Sequence, residues 1–191
     1  QFMAQERNIV EEAYPGDIIG IFDPGIFKIG DTLVEGNTSL KFEGIPIFPA
    51  EHFVRVTPKD TMKRKQFIKG ITQLSEEGAI QVFKQVNIGI EELILGAVGA
   101  LQFDVLEHRL KNEYNVELRI NHLPHRHARW IKGGLKGNPE SLNLTSTTMI
   151  VKDLEDRLVL LFENEWSIRW AEEKNQGLEL VDIASESLKI E

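Results

Sequence analysis

The sequence contains no cysteine residues. Their absence excludes disulfide bonds, thiolate nucleophiles and cysteine-ligated metal sites, and it is typical of proteins from a reducing compartment. Long apolar runs are also missing, because no stretch approaches the ~20 apolar residues that a membrane-spanning helix needs. The first residues do not show the basic and then apolar segments of a secretion signal. We therefore expect a cytoplasmic protein with no membrane partner.

The common catalytic motifs are missing as well. No G-x-x-x-x-G-K-[ST] motif is present, and the glycine cluster at residues 133–137 is followed by Asn138 and Pro139 where no strand–loop–helix unit is predicted. The G-x-S-x-G and H-E-x-x-H motifs are absent too. Adjacent glutamates such as Glu76 and Glu77 point apart on a helix, whereas an acid–base pair must converge across a cleft. The sequence therefore predicts no catalytic site, no bound cofactor and no enzyme activity in this segment.

Three histidines, His122, His125 and His127, lie within six residues. Their spacing matches no common zinc motif, and Pro124 and Arg126 interrupt the cluster. We therefore expect a connecting strand whose histidines face solvent or acidic neighbours, and we predict no metal site.

Acidic residues outnumber basic ones. The formal net charge is -8 and the pI is near 5.2, whereas a stand-alone duplex-binding protein is usually basic, so DNA is not an expected partner. The charge is unevenly spread, since residues 55–69 carry six basic side chains and one acid, and residues 153–191 carry eleven acids and four bases. This asymmetry favours a local RNA-facing or phosphate-facing patch on an acidic body, although a run of charges also suits a solvated helix face.

The hydrophobic pattern of residues 50–123 predicts two β-α-β units in succession. Alternation typical of strands switches to helical spacing and back, and a stripe such as Phe67, Ile71 and Leu74 marks an amphipathic helix. The predicted elements are residues 50–57, 61–78, 79–86, 92–98, 100–114 and 116–122. The order strand, helix, strand, strand, helix, strand predicts a ferredoxin-like split βαβ sandwich with both helices on one face.

The segment before this module, residues 1–44, has short apolar stretches broken by turn residues, and residues 17–22 are predicted as a buried strand. About three or four strands are too few to close a barrel, so we expect the last strands of a partial β-barrel. The chain starts at Gln1 without an initiator Met, and we interpret it as a fragment that begins inside a domain. Two prolines in residues 44–49 indicate a stiff connector.

The segment after the module is predicted as a small α/β extension docked on it. Trp166 and Trp170 are four positions apart on its predicted helix, which is the spacing of a core stripe. The elements of this extension are predicted at residues 128–131, 147–152, 157–162, 164–174 and 178–183. The chain is thus predicted to be an α+β protein with three parts, residues 1–44, 45–123 and 124–191.

Several stretches are specific enough in wording to indicate a family. They are FMAQER at residues 2–7, YPGDIIG at residues 14–20, QLSEEGA at residues 73–79, GAVGALQFDV at residues 96–105 and RLKNEYNVE at residues 109–117. Together they resemble the C-terminal part of bacterial peptide chain release factor 3, a family of translational GTPases. The resemblance is continuous from residue 2 to about residue 132, is loose from 133 to 160, and returns at residues 168–171.

This resemblance implies that residues 1–44 are the last strands of a β-barrel second domain and that residues 46–191 are the third domain. It implies a GTP-binding domain upstream, which would hold GTP or GDP with Mg²⁺. The expected function is that of the ribosome-binding part of a translation-termination GTPase, which recycles class I release factors from the ribosome after peptide release. The expected partners are the rRNA and proteins of the small ribosomal subunit and, functionally, the class I release factor.

The resemblance also implies a phosphate-facing basic surface and a stiff joint at residues 46–49, and it carries no catalytic residue onto this segment. The candidate ribosome-contact residues are Lys59, Lys63, Arg64, Lys65, Lys69, Arg126, Arg129 and Lys132. Two alternatives remain open. The first is a fragment of an elongation-factor-G-type GTPase, which shares the acidic helix end and the glycine pair before the second helix. The second is a non-ribosomal ferredoxin-like regulatory domain that binds a ligand.

Overall fold

The computed structural model describes residues 10–24, 26–27, 29–36, 39–40, 42, 48–86, 92–135 and 137–182. These residues form an α+β fold built on one antiparallel sheet of eight strands. The strands are β1 (His52–Pro58), β2 (Gln81–Gln85), β3 (Leu93–Ala97), β4 (Leu118–Leu123), β5 (His127–Ile131), β6 (Met149–Lys152), β7 (Leu158–Phe162) and β8 (Leu180–Val181). The α-helices are α1 (Arg64–Glu76), α2 (Leu101–Tyr114) and α3 (Glu165–Lys174).

The first four strands and two helices form the predicted ferredoxin-like sandwich. Their order in the sheet is β4-β1-β3-β2, and each neighbouring pair is antiparallel. Alternate strand residues point to opposite faces, so Val54 and Val56 face the helices and meet Phe67, Ile71 and Leu110 in one buried core. The expectation that both helices cover the same face of this sheet is confirmed.

Two local features fix the positions of α1 and α2. A short 3-10 helix, Thr61–Lys63, precedes α1, and Asp60 caps it by accepting a hydrogen bond from the backbone N–H of Met62 at 2.9 Å. Gly70 lies where the two helices cross, because a Cβ at this position would overlap Leu110 and stand 3.0 Å from the ring of Tyr114. The absence of a side chain at Gly70 therefore allows the close approach of α2.

The C-terminal strands extend the same sheet and fold back over it. β2 pairs with β6 through only two residue pairs, and the order then continues β6-β7-β5-β8. On the sheet face opposite α1 and α2, the Phe83 ring lies 6.1 Å from those of Phe53 and Trp130, measured between centroids. The expected extension is therefore docked on the central module, but it is also continuous with the module's sheet. α3 covers the outer side of this second layer, where Ala171 joins Leu160 and Phe162 in a third cluster.

The predicted buried strand at residues 17–22 is wrong. These residues are exposed and have no strand geometry, and the side chains of Ile18 and Phe22 are 101% and 89% exposed. A strand needs hydrogen-bonded neighbours, and no described residue supplies one here. The described part of residues 1–44 thus contains no strand of a partial barrel. Residues 1–9 lie outside the described residues, and so do residues 44–47, which are most of the predicted connector.

None of the helices in the described segments is both long enough and apolar enough to cross a bilayer.

Candidate nucleic-acid interface

Five of the eight predicted contact residues lie where β1 ends and α1 begins. They are Lys59, Lys63, Arg64, Lys65 and Lys69. Lys65 and Lys69 are exposed and one turn apart, because Phe67 and Ile71 direct the opposite side of α1 into the core. The structure therefore gathers the basic run of the sequence at one end of the sandwich.

Two of these lysines also connect the start of α1 to the end of α2. The Lys63 ammonium donates a hydrogen bond to the backbone oxygen of Asn115 at 2.6 Å, where carbonyl groups at a helix C-terminus favour a positive charge. The Lys59 ammonium lies 3.2 Å from the Glu117 carboxylate, and its hydrogen bond and charge lower the pKa of Glu117, with a further contribution from Lys111. Lys63 and Lys59 are thus partly committed to internal contacts, whereas Lys65 and Lys69 project from the surface.

The other three candidates lie on or next to β5. Arg126 donates to the backbone oxygen of Glu51 at 3.3 Å and contacts the His52 ring nitrogen at 2.9 Å. Arg129 donates to the backbone oxygen of Ala128, and Lys132 pairs with Glu179 at 2.7 Å. Arg126 therefore lies at the start of β1 and the α1 group lies at its end.

The eight candidates consequently do not form a single surface. β1 has seven residues, which corresponds to about 20 Å of extended chain between the two groups. Lys132 is separated again, because it follows the far end of β5 from Arg126. The basic surface that sequence reasoning proposed is divided into an α1 group and a β5 group.

A cavity of about 300 Å³ lies beside the β5 group. It is lined by Pro49, Ala50, Glu51, His52, Arg126, His127, Arg129 and Asp182. Burial lowers the pKa of His127, and the positive charge of Arg129 lowers it further. Because His127 favours its neutral form, and because two arginines share the lining with two carboxylates, the cavity is not strongly cationic.

Two arginines on the open face of the sheet are not among the eight candidates, although Arg55 belongs to the basic run of residues 55–69. Arg55 in β1 and Arg119 in β4 point away from the helices, beyond the area that the C-terminal strands cover. Arg119 pairs in register with Thr57, and the backbone N–H of Lys59 bonds to Glu117, so this face continues into the α1 group. Strand alternation could have identified both, since each is two or four positions from an apolar residue of that face. We call Arg55, Arg119, Lys59, Arg64, Lys65 and Lys69 the basic surface.

The three clustered histidines have separate environments. His125 is buried, and its Nε2 lies 2.9 Å from the backbone oxygen of Thr147, so the expectation that it faces solvent or an acid is wrong. His122 is exposed and stacks edge-on to Phe103 at 6.4 Å. Among the described residues, no group of three or more histidine and carboxylate side chains is arranged to hold a metal ion.

The tryptophans also differ from expectation. Trp130 is buried and donates its indole N–H to Asp153 at 2.9 Å. Trp166 and Trp170 lie on the outer side of α3, where they are 56% and 36% exposed, so the prediction that they form a core stripe is wrong. α3 instead packs through Ser167 and Ala171, whose small side chains allow it to lie close to the sheet.

Comparison with known families assigns most of the chain. Residues 42–172 match the model described as class II release factor RF3, C-terminal domain. Residues 1–36 match the model described as elongation factor G domain 2. The two matched segments do not overlap.

Individual relatives agree with these matches. The chain is 54% identical over 178 residues to peptide chain release factor 3 of Symbiobacterium thermophilum, which covers 93% of this chain and 33% of the relative. It is 47% identical over 183 residues to the protein of the same name from Listeria monocytogenes, covering 96% of this chain and 34% of the relative. The corresponding protein of Staphylococcus saprophyticus is 47% identical over 185 residues, with 95% and 34% covered. The chain thus spans about a third of the length of these relatives.

Proposed function

The chain belongs to the peptide chain release factor 3 family, and from this premise we propose that it is the ribosome-binding part of a translation-termination GTPase. In this proposal the parent protein acts in the cytoplasm and removes class I release factors from the ribosome after peptide release. The nucleotide, GTP or GDP with Mg²⁺, is bound by a part of the parent outside these residues. The chain itself contacts small-subunit rRNA and proteins and transmits movement.

The observation that carries the RNA contact is the basic surface. It runs from the sheet face to the first turns of α1 and is exposed apart from the half-buried Arg55, which lies 3.7 Å from Glu92, although the chain as a whole has a net charge of -8. A local positive field on an acidic body attracts phosphates at one place and repels them elsewhere, which orients the protein on RNA. Phosphate contacts of this kind position a protein without reading sequence.

A part that transmits movement must also resist bending. The start of α1 is tied to the end of α2 by Lys63, and Arg109 of α2 pairs both with Glu77 at the end of α1 and with Glu113 of its own helix. On the other sheet face, the rings of Phe53, Phe83 and Trp130 join the C-terminal layer to the first. These contacts hold the basic surface on a stiff support.

The alternative that the chain is a fragment of an elongation-factor-G-type GTPase receives less support. The match to an elongation factor G model is confined to residues 1–36, whereas the release factor model matches residues 42–172, which include seven of the eight strands of the described sheet. A ligand-binding regulatory role would depend on the cavity beside β5, whose charges are balanced.

Charge reversal of Lys65 and Lys69 tests the proposed RNA contact. The double variant Lys65→Glu/Lys69→Glu should bind bacterial ribosomes at least about tenfold more weakly in co-sedimentation. For this variant, the slope of the logarithm of the binding constant against the logarithm of the salt concentration should be shallower by about 0.7–0.9 for each lost phosphate contact. Both side chains are exposed, so the fold should be unaffected.

Lys152→Glu/Lys174→Glu is the matched control, because it makes the same change in net charge at exposed or half-exposed lysines of the C-terminal layer, outside the basic surface. If both double variants bind like the unmodified chain with the same salt slope, the assignment of the basic surface is wrong. If they weaken binding equally, only net charge matters and the assignment is also wrong.

A further inference from the structure

α3 presents two stacked tryptophans to solvent. The ring centroids of Trp166 and Trp170 are 5.3 Å apart with an interplanar angle of 32°. The helix contacts the sheet through Ser167 and Ala171, which lie on a different side, so the aromatic pair is not needed to dock α3. Exposed tryptophans are uncommon on surfaces that bind nothing, and tryptophan is enriched among residues that dominate binding energies.

The face of one of these rings already holds a cation. The Lys174 ammonium lies 4.9 Å from the centroid of Trp170, within the ~6 Å range of a cation–π contact. No other lysine or arginine in the described part of the chain lies over either ring. The Trp166 ring is therefore available to a positively charged group from another molecule.

The charges around the pair favour a cation and disfavour a phosphate. α3 carries three acidic side chains, Glu165, Glu172 and Glu173, and two basic ones, Arg169 and Lys174, the second of which already lies over Trp170. Glu165 and Glu173 are exposed on the same helix, one residue before Trp166 and seven residues after it. This surface is thus opposite in sign to the basic surface at the start of α1.

We propose that Trp166 and Trp170, with Glu165 and Glu173, form a docking surface for a basic polypeptide segment of a partner protein. An arginine or lysine of the partner stacks on Trp166, and neighbouring basic side chains pair with the two glutamates. The surface lies on α3, apart from the basic surface, and it binds protein where the basic surface binds RNA. It therefore extends the proposed function with a second contact of opposite charge.

Fluorescence anisotropy with the chain and a short fluorescein-labelled peptide of alternating arginine and glycine tests this proposal. Trp166→Ala/Trp170→Ala should weaken peptide binding about tenfold although net charge is unchanged. Trp166→Phe/Trp170→Phe should retain an intermediate affinity, because phenylalanine also accepts a cation, more weakly. Glu165→Lys/Glu173→Lys should weaken binding more than Glu107→Lys/Glu155→Lys, which makes the same charge change at exposed acids away from α3.

Several results would overturn the proposal. One is equal binding of the peptide by the unmodified chain and the Trp166→Ala/Trp170→Ala variant, which would indicate attraction by net charge alone. Another is a larger loss of polyuridine binding than of peptide binding in the Trp166→Ala/Trp170→Ala variant, which would make RNA the ligand of this pair. A third is a dimer in sedimentation that the tryptophan substitutions abolish, which would make a second copy the occupant.

Acrylamide quenching of tryptophan fluorescence provides an independent check of exposure, because this neutral quencher is not repelled by the acidic side chains beside the pair. The unmodified chain should be quenched strongly, and the Trp166→Ala/Trp170→Ala variant weakly, because it retains only the buried Trp130. Equal quenching of the two proteins would mean that the pair is covered in solution, and the docking surface would then be ruled out. Circular dichroism establishes that each variant is folded.

Discussion

His127 illustrates how a single side chain responds to the environment that the fold creates. It is half-buried in β5, and burial lowers its pKa first. The positive charge of Arg129 lowers the pKa further, while Glu165 and Glu51 act in the opposite direction. A histidine with a lowered pKa binds fewer protons in the folded state than in the unfolded state, so stability is lost as pH falls below the unfolded value of about 6.5.

The pH dependence of unfolding measures this effect. Between about pH 7 and about pH 5, the free energy of unfolding of the unmodified chain should fall more steeply than that of His127→Gln. The difference between the two slopes should stay below ~1.4 kcal/mol per pH unit, which is the limit for one proton. Urea denaturation at several pH values gives both slopes. His108→Gln, which removes an imidazole from an exposed position on α2, is the matched control. Identical slopes for all three proteins would contradict the assignment to His127.

Gly96 lies at a closely packed position that the sequence alone did not reveal. A Cβ at this position in β3 would lie 2.8 Å from the Cβ of Ala50 and 3.1 Å and 3.2 Å from the rings of Phe53 and Phe83. The sequence explained Gly96 only as part of a small-residue stretch before the second helix. Because Gly96 has no side chain, Ala50, Phe53 and Phe83 can pack against the sheet at this point. Which layer covers this point is decided by residues far away in sequence.

At the scale of elements, the turn between β6 and β7 connects the C-terminal strands through Asp153. This buried carboxylate accepts hydrogen bonds from the indole of Trp130 at 2.9 Å and from the Arg157 side chain at 2.7 Å. It also accepts from the backbone N–H groups of Glu155 and Arg157. The hairpin and β5 are thus fixed to each other by a single side chain that accepts four hydrogen bonds from three residues.

Removal of this carboxylate should loosen the C-terminal layer. Asp153→Ala should lower the free energy of unfolding by about 2–4 kcal/mol, because the Trp130 N–H and the half-buried Arg157 lose their acceptor. Urea denaturation followed by tryptophan fluorescence measures the loss. Glu155→Ala, at an exposed position of the same turn, should cost less than about 1 kcal/mol. Equal effects of the two substitutions would show that the network adds no stability.

At the scale of the whole molecule, nucleotide binding is the property that separates this chain from the proposed activity of its parent. The glycine-rich residues after β5 lead into a 3-10 helix, Pro139–Ser141, and not into the α-helix whose N-terminus would face phosphates in a P-loop. No nucleotide site is therefore proposed in the described residues.

Calorimetry with the 191-residue chain tests this conclusion directly. Titration with GTP and Mg²⁺ should release no binding heat, because no described loop can surround the phosphates. Polyuridine, added at low salt, should bind through the basic surface and serves as the positive control in the same buffer. Micromolar affinity for GTP would contradict the proposed division of roles between this chain and the rest of its parent.

The sequence determined the local elements of the central module. Residues 50–123 follow strand and helix periods whose causes are local, since backbone geometry sets which residues share a face. The ferredoxin-like order was therefore predictable, and so were most elements of residues 124–191. Within the basic run, however, periodicity could not distinguish Lys63, which bonds to Asn115, from Lys65, which projects into solvent.

Tertiary structure alone decided which surfaces meet. The pairing of β2 with β6 joins two segments into one sheet, and the resulting layer buries His125 and Trp130 while α3 leaves Trp166 and Trp170 exposed. The spacing of the two tryptophans fits a buried stripe and an exposed stripe equally well. The physical reason is that a period fixes which residues lie together on a face, whereas the partner that covers this face is set by contacts between residues distant in the chain.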